Sequence, residues 1–480
     1  MTTTLPILHS LGALEAQLKR DLSLLNYPPE NWVPESVDPS GPVSDIVIIG
    51  GGMCGLAAAF ALKRKGMHRL RVLDSQPVGK EGPWVTFARM KTLRSPKNLT
   101  GPACDMPQLT FHAWFEASFG EPAWQALDKI PRTMWMDYLC WYRKVLDLPV
   151  ENGVRVIRVA PSTAGFLQLD CEMNGTLQTI FARKVVVATG RSGQGTPFVP
   201  SWADHLPRSR WSHSSDIIDF DALRGRRVVV LGAGASSMDN AAEALEHGAA
   251  SVQVLVRRLA IPTVNKLMGI GSLGFTEGFP ALPDAWRWRI MHYSQTTQTP
   301  PPRASVQRVS CHTNASLHLG VGIVSASLTE DSIVLTDAKN KTYKTDHVIF
   351  GTGFSIDMRQ PEGLIAGAEH VLLWDDRFHP PTELQDRSLA QSPYLDGAFR
   401  FSEKTPGAAP WLRHIHCFNH AASLSLGKVS GDIPRVSEGA AWLACGIAKS
   451  LYVEDIDHHW NTLESYDTPE LLGDEWRTNE

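Results

Sequence analysis

Twice in this chain a short apolar run stops at a glycine turn and passes directly into an alanine-rich segment. The first run is Asp45-Ile-Val-Ile-Ile49, followed by Gly50-Gly-Gly52-Met-Cys-Gly55 and the stretch Leu56 to Lys65. The second is Arg226-Arg-Val-Val-Val-Leu231, followed by Gly232-Ala-Gly234-Ala-Ser236-Ser237 and another such stretch. Continuous apolar runs of this kind mark parallel strands covered on both faces. A glycine turn opening a helix behind such a strand aims unpaired N–H groups at a pyrophosphate. Two units so far apart are not a short-period solenoid. They predict an α/β chain with two Rossmann-like dinucleotide-binding domains, the second inserted into the first, behind an N-terminal helical extension.

The flanking residues distinguish the two units. In the first, the strand Leu70-Arg-Val-Leu73 ends at Asp74, about 20 residues past the glycines, which is the context that gives a G-x-G-x-x-G meaning. Gly50 allows the tight turn, Gly52 lets backbone approach a pyrophosphate, and Gly55 lets helix and strand pack closely. Asp74 suits a ribose hydroxyl, hence a ligand with a free adenosine 2′-OH. Cys54 inside the turn reads as a small filler rather than a redox centre. In the second unit Gly232 and Gly234 stand, Ser236 and Ser237 follow, and Ser237 takes the third glycine's place. The strand Ser251-Val-Gln-Val-Leu-Val256 ends at Arg257-Arg258 instead of an acid. A guanidinium there suits a 2′-phosphate and favours NADPH over NADH; the competing reading is two arginines on a solvated strand end. Two further apolar strands, Val185-Val-Val187 and Asp346 to Phe350, run into Ala188-Thr189-Gly190 and Gly351-Thr352-Gly353.

At 480 residues the chain is long enough for two or three domains. The expected divisions are 1–42 (helix and Pro-rich connector), 43–195 (first nucleotide domain), 196–345 (second nucleotide domain), 346–452 (return to the first) and 453–480 (tail). Leu8, Leu11, Leu14, Leu18, Leu22 and Leu25 form a helical stripe, read as a clamp on the main body, with a partner or membrane helix as the alternative. Lys+Arg 46 against Asp+Glu 50 leaves −4, so nothing argues for nucleic acid. No run of about 18 apolar residues is present, so no transmembrane span is expected, and residues 1–19 lack the signature of a signal peptide. Seven scattered cysteines without a C-x-x-C fit reduced thiols in the cytoplasm and argue against the paired-thiol flavin reductases. A homo-oligomer stays open. His414-Ile-His416-Cys417-Phe-Asn-His420 is read as polar lining or structure before metal, and no metal is expected.

Other strings carry a resemblance. The two crossovers ending in Gly190 and Gly353, Trp211-Ser-His213-Ser-Ser215, Phe87 to Pro102 with Leu109-Thr-Phe111, Ile130-Pro-Arg132, Asp137-Tyr-Leu-Cys-Trp141, the Gly79–Gly82–Trp84 turn and Ser430-Gly-Asp432-Ile-Pro434 together resemble the class B flavin-dependent monooxygenases, in particular their N-hydroxylating branch, over roughly residues 43–452. The resemblance implies FAD on Gly50, Gly52, Gly55, Asp74, Trp84, Thr189, Gly190 and Asp432. It implies NADPH on Gly232, Gly234, Ser236, Ser237, Arg257 and Arg258, with Thr352 and Gly353 at the return crossing. NADPH would reduce FAD, and a C4a-(hydro)peroxyflavin would insert one oxygen atom from O2 into a small organic substrate. Asn98, Arg94 and His213 are the catalytic candidates, with Lys97 beside them on the flavin face; His213 is alternatively a hinge or a satisfied histidine. The helix opened by Pro434 would bring its N-terminus to reduced flavin.

Departures narrow the chemistry. The Baeyer–Villiger fingerprint F-x-G-x-x-x-H-x-x-x-W fails at Ser209 and Ile217. The lysine with which amino acid N-hydroxylases hold a carboxylate falls on Ala88 or Arg89. The string Met90 to Pro102 is similar to bacterial FAD-dependent urate hydroxylases. Hydroxylation of a heteroaromatic, urate-like ring or of a nitrogen centre is the leading expectation, with ketone oxidation and NADPH oxidation without oxygen insertion as alternatives.

Overall fold

The computed structural model describes residues 10–191, 195–356, 358 and 363–476. Leu8 of the N-terminal stripe and the last four residues of the tail lie outside them. Both apolar runs are strands. Gly41–Ile49 pairs in parallel with Leu70–Asp74 on one side and Thr176–Val187 on the other, and Ile46, Val47 and Ile48 are fully buried. This first sheet has eight strands. Val150–Asn152 extends it in parallel past Leu70–Asp74, and the antiparallel strands Leu167–Met173 and Val154–Pro161 extend it past Thr176–Val187. The late strand Ile415–His416 returns to it from the far end of the chain.

The second sheet has five strands in the order Ala315–Leu319, Ser251–Val256, Arg227–Leu231, His347–Phe350 and Trp211–His213, all parallel. The expected division at residue 346 is corrected here. His347–Phe350 does not return to the first sheet; it lies between Arg227–Leu231 and Trp211–His213, with Val228 opposite His347. Four consecutive apolar residues announce a buried strand, but they carry no information about which sheet receives it. The chain leaves the second domain only at Gly351-Thr352-Gly353. The outgoing and returning links then pair as an antiparallel ribbon, Gly195–Pro197 with Phe354–Ile356.

Two helices frame the site. Met53–Lys63 follows the first glycine turn, and its alanines allow the long helix Val436–Glu454 to pack beside it, each within the core. The expected stripe of that long helix, Val436, Ala440, Leu443, Ala444 and Ile447, is buried throughout. The N-terminal helix Leu11–Leu24 is capped by Ser10, whose side chain accepts from the Ala13 N–H. It buries Leu14, Leu18 and Leu22, each worth about 1.5–3 kcal/mol. Trp141 Nε1 donates to Glu15 at 3.0 Å and Gln108 donates to Asp21, so this helix is a clamp on the first domain. Among the described residues no helix is long and apolar enough to cross a membrane.

Candidate active site

The first glycine turn is built by close contacts. Gly50 has φ +108°, and a Cβ there would lie 2.6 Å from the Ala188 carbonyl oxygen. A Cβ on Gly55 would lie 1.8 Å from the Gly50 carbonyl oxygen, so only glycine lets the helix start this near the strand. Gly52 differs: nothing lies nearer than 3.8 Å to its absent Cβ, and what does is Gly82. Its face is therefore open, which is what a pyrophosphate lying on backbone requires. Asp74 is buried; its two oxygens accept from Gly51 N–H at 2.7 Å and Gln76 N–H at 2.8 Å. Burial raises its pKa against the pull of those two bonds. Each carboxylate oxygen keeps a second lone pair for a ribose hydroxyl. Opposite, Glu81 pins the Gly79–Trp84 turn by accepting from Arg143 at 2.9 Å and Asn152 at 2.6 Å. Trp84 sits edge-on to Trp135, and its carbonyl accepts from Arg132.

The second turn repeats this geometry with one exchange. Gly232 has φ +110° and would meet the Gly351 carbonyl oxygen at 2.6 Å, while nothing lies within 4 Å of the Cβ position of Gly234. Ser237, where the first turn has Gly55, is fully buried and donates to the Gly351 carbonyl at 3.2 Å. It fits because the crossing strand yields: a Cβ on Gly351 would lie 2.1 Å from Ser237 Oγ. Gly351 stands where the first domain has Ala188. Strand register also refines the arginine assignment. Ile49 pairs with Leu73 and Leu231 with Leu255, so Asp74 corresponds to Val256, and the arginines are the next two residues. Arg258 donates to the Thr296 carbonyl at 2.8 Å. Arg257 is exposed and has no ion pair among the described residues. Ser236 is exposed in the first helical turn.

The segment between the domains does more than line a cofactor. Arg89 is 9% exposed and spends its guanidinium on three carbonyls, those of Phe87, Ser214 (3.2 Å) and Asp216 (2.6 Å). It docks the first domain on the second and is not placed to hold a carboxylate. Arg94 reaches across to the Pro300 carbonyl at 2.8 Å. Asn98 is exposed with its amide without a protein partner among the described residues. Lys97 departs from expectation: it donates to the Trp124 carbonyl at 2.6 Å and lies over that indole, away from the other two. His213 is also corrected as a reacting group. It is 1% exposed; Ser215 N–H donates to Nδ1 at 3.2 Å, which leaves the proton on Nε2 to donate to the Gly353 carbonyl at 3.0 Å. Burial holds its pKa below the ordinary value. It is a neutral brace under the return crossing.

Sequence reasoning named some of the groups beside the first crossing but not what joins them. Asn419 donates to the Val187 carbonyl and to Thr189 Oγ1, each at 3.3 Å, and His420 N–H donates to the Gly190 carbonyl at 3.3 Å. Cys54 Sγ contacts the Ser430 carbonyl at 3.4 Å, and burial pushes the thiol up to about 12, as expected of a filler. These bonds set His420 beside Gly190 and Arg191, and Arg94, His420 and Lys428 each feel both the Arg191 guanidinium and the Asp432 carboxylate. Burial, then Arg191, holds His420 down to about 4, so it is neutral. Burial also lowers Lys428, with Asp432 opposing and Arg191 and Arg94 adding to the effect. The residues come from three distant segments; Arg94 and Asp432 were singled out in the sequence and His420 stood in a string read as polar lining, whereas Arg191 and Lys428 were not named. The other histidines disperse. His416 Nδ1 meets the Ala398 carbonyl at 2.7 Å, while His414 accepts from Lys184 at 2.7 Å on the outer side of the sheet. Among the described residues no group of His, Cys, Asp or Glu is arranged to hold a metal.

The comparisons agree with this geometry. The sequence model of the pyridine nucleotide-disulphide oxidoreductase family matches residues 47–267; none of the seven cysteines here is in a disulfide. An FAD-dependent urate hydroxylase of Xanthomonas campestris pv. campestris is 38% identical over 466 residues, covering 97% of this chain and 98% of the relative. A Baeyer–Villiger monooxygenase of Pseudomonas aeruginosa is 24% identical over 73% of this chain and 71% of its own length. Among solved structures, an ornithine hydroxylase of Pseudomonas aeruginosa superposes with a TM-score of 0.64 at 16% identity, covering 85% of this chain and 100% of that one, and so shows the shared fold. Two glycine turns of one geometry, matched to a relative 38% identical over nearly its full length, settle the family: the chain belongs to the class B flavin-dependent monooxygenases.

Proposed function

We propose that this monooxygenase hydroxylates a planar, anionic nitrogen heterocycle of the urate type. The observation that carries the reading is the set of groups at the first crossing, where Arg94, Arg191 and Lys428 outnumber the single carboxylate of Asp432 and neutral His420 stands among them. An excess of positive charge in a cleft draws an anion and orients it. Arginine has five N–H donors, and Arg94 spends one on Pro300, which leaves a fork for a ring oxygen. His420 can accept from or donate to a ring nitrogen without adding charge. The full-length likeness to a urate hydroxylase supports the same substrate class. Arg89, consumed by three carbonyls, does not supply the carboxylate grip that an amino acid substrate needs.

Within that reading, Gly50, Gly52, Gly55, Asp74, Trp84, Thr189, Gly190 and Asp432 would hold FAD. Gly232, Gly234, Ser236, Ser237 and Arg257 would hold NADPH, with Arg258 supporting from the strand end and Thr352 and Gly353 setting the return link. Bound there, FAD would relay two electrons from NADPH to O2, so that one oxygen atom of O2 goes to the substrate and the other leaves as water. The chain's own residues bind, orient and shield. Asn98 offers both a donor and an acceptor to whatever lies between the two nucleotides. Arg94 ties the flavin-side segment to the second domain, and His213 keeps the return crossing in place. The N-terminus of the helix after Pro434 adds positive potential beside Asp432. Thiols outside any disulfide suit a reducing compartment, and we place the protein in the cytoplasm.

The test is a substrate panel on the purified holoenzyme, scored by NADPH, O2 and substrate consumption together. Urate is expected to stimulate NADPH oxidation, with the three consumed in equal amounts. Stimulation by L-ornithine or a cyclic ketone, with none by urate, would overturn the reading.

A further inference from the structure

The helix Ile456–Ser465 buries none of its residues. Its sequence is nonetheless amphipathic: Ile456, His459, Trp460 and Leu463 recur at steps of three and four and share one face. Among the described residues only His459 of these finds a ring partner on the body, stacked on Tyr452 at 4.2 Å and lying 6.1 Å from Trp32. Ile456 is 52% exposed, Trp460 55% and Leu463 66%. Tyr452 and Val453 before the helix and Tyr466 after it are 49%, 69% and 71% exposed. The stripe adjoins a shallow groove walled by Trp32, Ala448, Tyr452 and Val453, with Lys65 and Lys449 on its rim.

Area and charge identify what covers it. At ~150–250 Å² for an aromatic side chain, the six exposed residues present roughly 700 Å². That exceeds the ~300–600 Å² of the largest apolar patch on a typical monomer and approaches the ~800 Å² each partner gives to a standard interface. Around the stripe the charges are acidic: Asp457, Glu464, Asp467 and Glu470. Anionic lipid would repel them. Lys65 and Lys449, by contrast, have no ion pair among the described residues and stand beside an apolar groove of matching character. The molecule thus carries both halves of one contact, an acidic-edged apolar stripe and a basic-edged apolar groove. Two such halves close when a second copy is related by a two-fold axis.

We propose that Ile456–Ser465 and the Trp32–Tyr452 groove form a two-fold interface between two copies of this chain. Each Trp460–Leu463 stripe seats on the partner's groove, with Asp457 and Glu464 facing the partner's lysines. The contact lies on the outer side of the first domain and takes no residue from either nucleotide cradle.

The experiment is sedimentation equilibrium of the full-length holoenzyme at micromolar concentration, with flavin content and NADPH oxidation as controls. The unmodified protein is expected to sediment at twice the chain mass. The variant Trp460→Glu with Leu463→Glu, both on exposed positions, is expected to raise the dimer Kd by about 100-fold or more while flavin content and NADPH oxidation hold. Lys449→Glu should weaken the dimer, and adding Glu464→Lys should restore part of it. A monomer for the unmodified protein overturns the proposal, as does a dimer unaffected by the double variant. Binding of the unmodified monomer to phosphatidylserine–phosphatidylcholine vesicles, lost in the double variant, overturns it in favour of a membrane surface.

Discussion

The two glycine turns do the same work with opposite divisions of space. In the first, the helix gives way: Gly55 has no side chain, and the crossing strand keeps Ala188. In the second, the crossing strand gives way: Gly351 has no side chain, and the helix keeps Ser237, whose hydroxyl then bonds the strand. Close packing is conserved as a sum across the contact, not as a residue at one position. A sequence pattern that inspects only the helix sees a degraded motif in the second unit. The strand ends differ as well. Asp74 is locked by two backbone N–H groups into the first turn, whereas Val256 leaves the second turn to the arginines that follow.

The comparison breaks outright if Gly55→Ala keeps its flavin. With the new Cβ 1.8 Å from a backbone oxygen, we expect a protein purified without yellow colour, read by absorbance, with stability lowered by more than the ~1–3 kcal/mol of ordinary overpacking. Gly351→Ala should raise the NADPH KM about 100-fold with flavin content intact, and pairing it with Ser237→Gly should recover part of that loss by giving the second turn the first turn's division of space. A double variant no better than the single one would mean that the exchange is incidental. Arg257→Ala should raise the KM for NADPH about 10- to 100-fold, in keeping with the ~1.5–3 kcal/mol of a charged hydrogen bond, and leave that for NADH unchanged. Arg258→Ala, whose side chain is already tied to Thr296, should cost only a few-fold; equal effects would sink the distinction drawn between them.

The smallest effect concerns His213. Its folded pKa is held below 6.5 by burial, so in acid the unfolded chain binds a proton that the folded protein refuses. The brace is therefore at full strength above pH 6.5, and stability falls as pH drops below that value. His213→Phe should lower stability at neutral pH by about 1 kcal/mol through loss of the Gly353 bond and flatten the acid-side decline. Urea midpoints at several pH values check both; an unchanged slope would show that His213 does not set it.

What was legible in the sequence was local. Both glycine turns, Asp74, the Leu14–Leu18–Leu22 stripe and the buried face of Val436–Glu454 are each encoded within one short segment, where spacing alone states the geometry. What escaped depended on partners far along the chain. His347–Phe350 read as a strand without an address. Arg89 read only as a departure from the lysine of the amino acid N-hydroxylases; its docking role escaped because the carbonyls of Ser214 and Asp216 that claim it lie on the other domain. Arg191, His420 and Lys428 converge only because Asn419 and His420 bond the crossing at Val187, Thr189 and Gly190. Gly351 was visible as a departure from Ala188, and set beside Ser237 it would have signalled the exchange.

The ribbon made by Gly195–Pro197 and Phe354–Ile356 leaves the smaller domain on a two-leaved hinge. A single tether would let that domain twist and tilt independently; two antiparallel leaves bonded to one another permit chiefly a swing about their common axis.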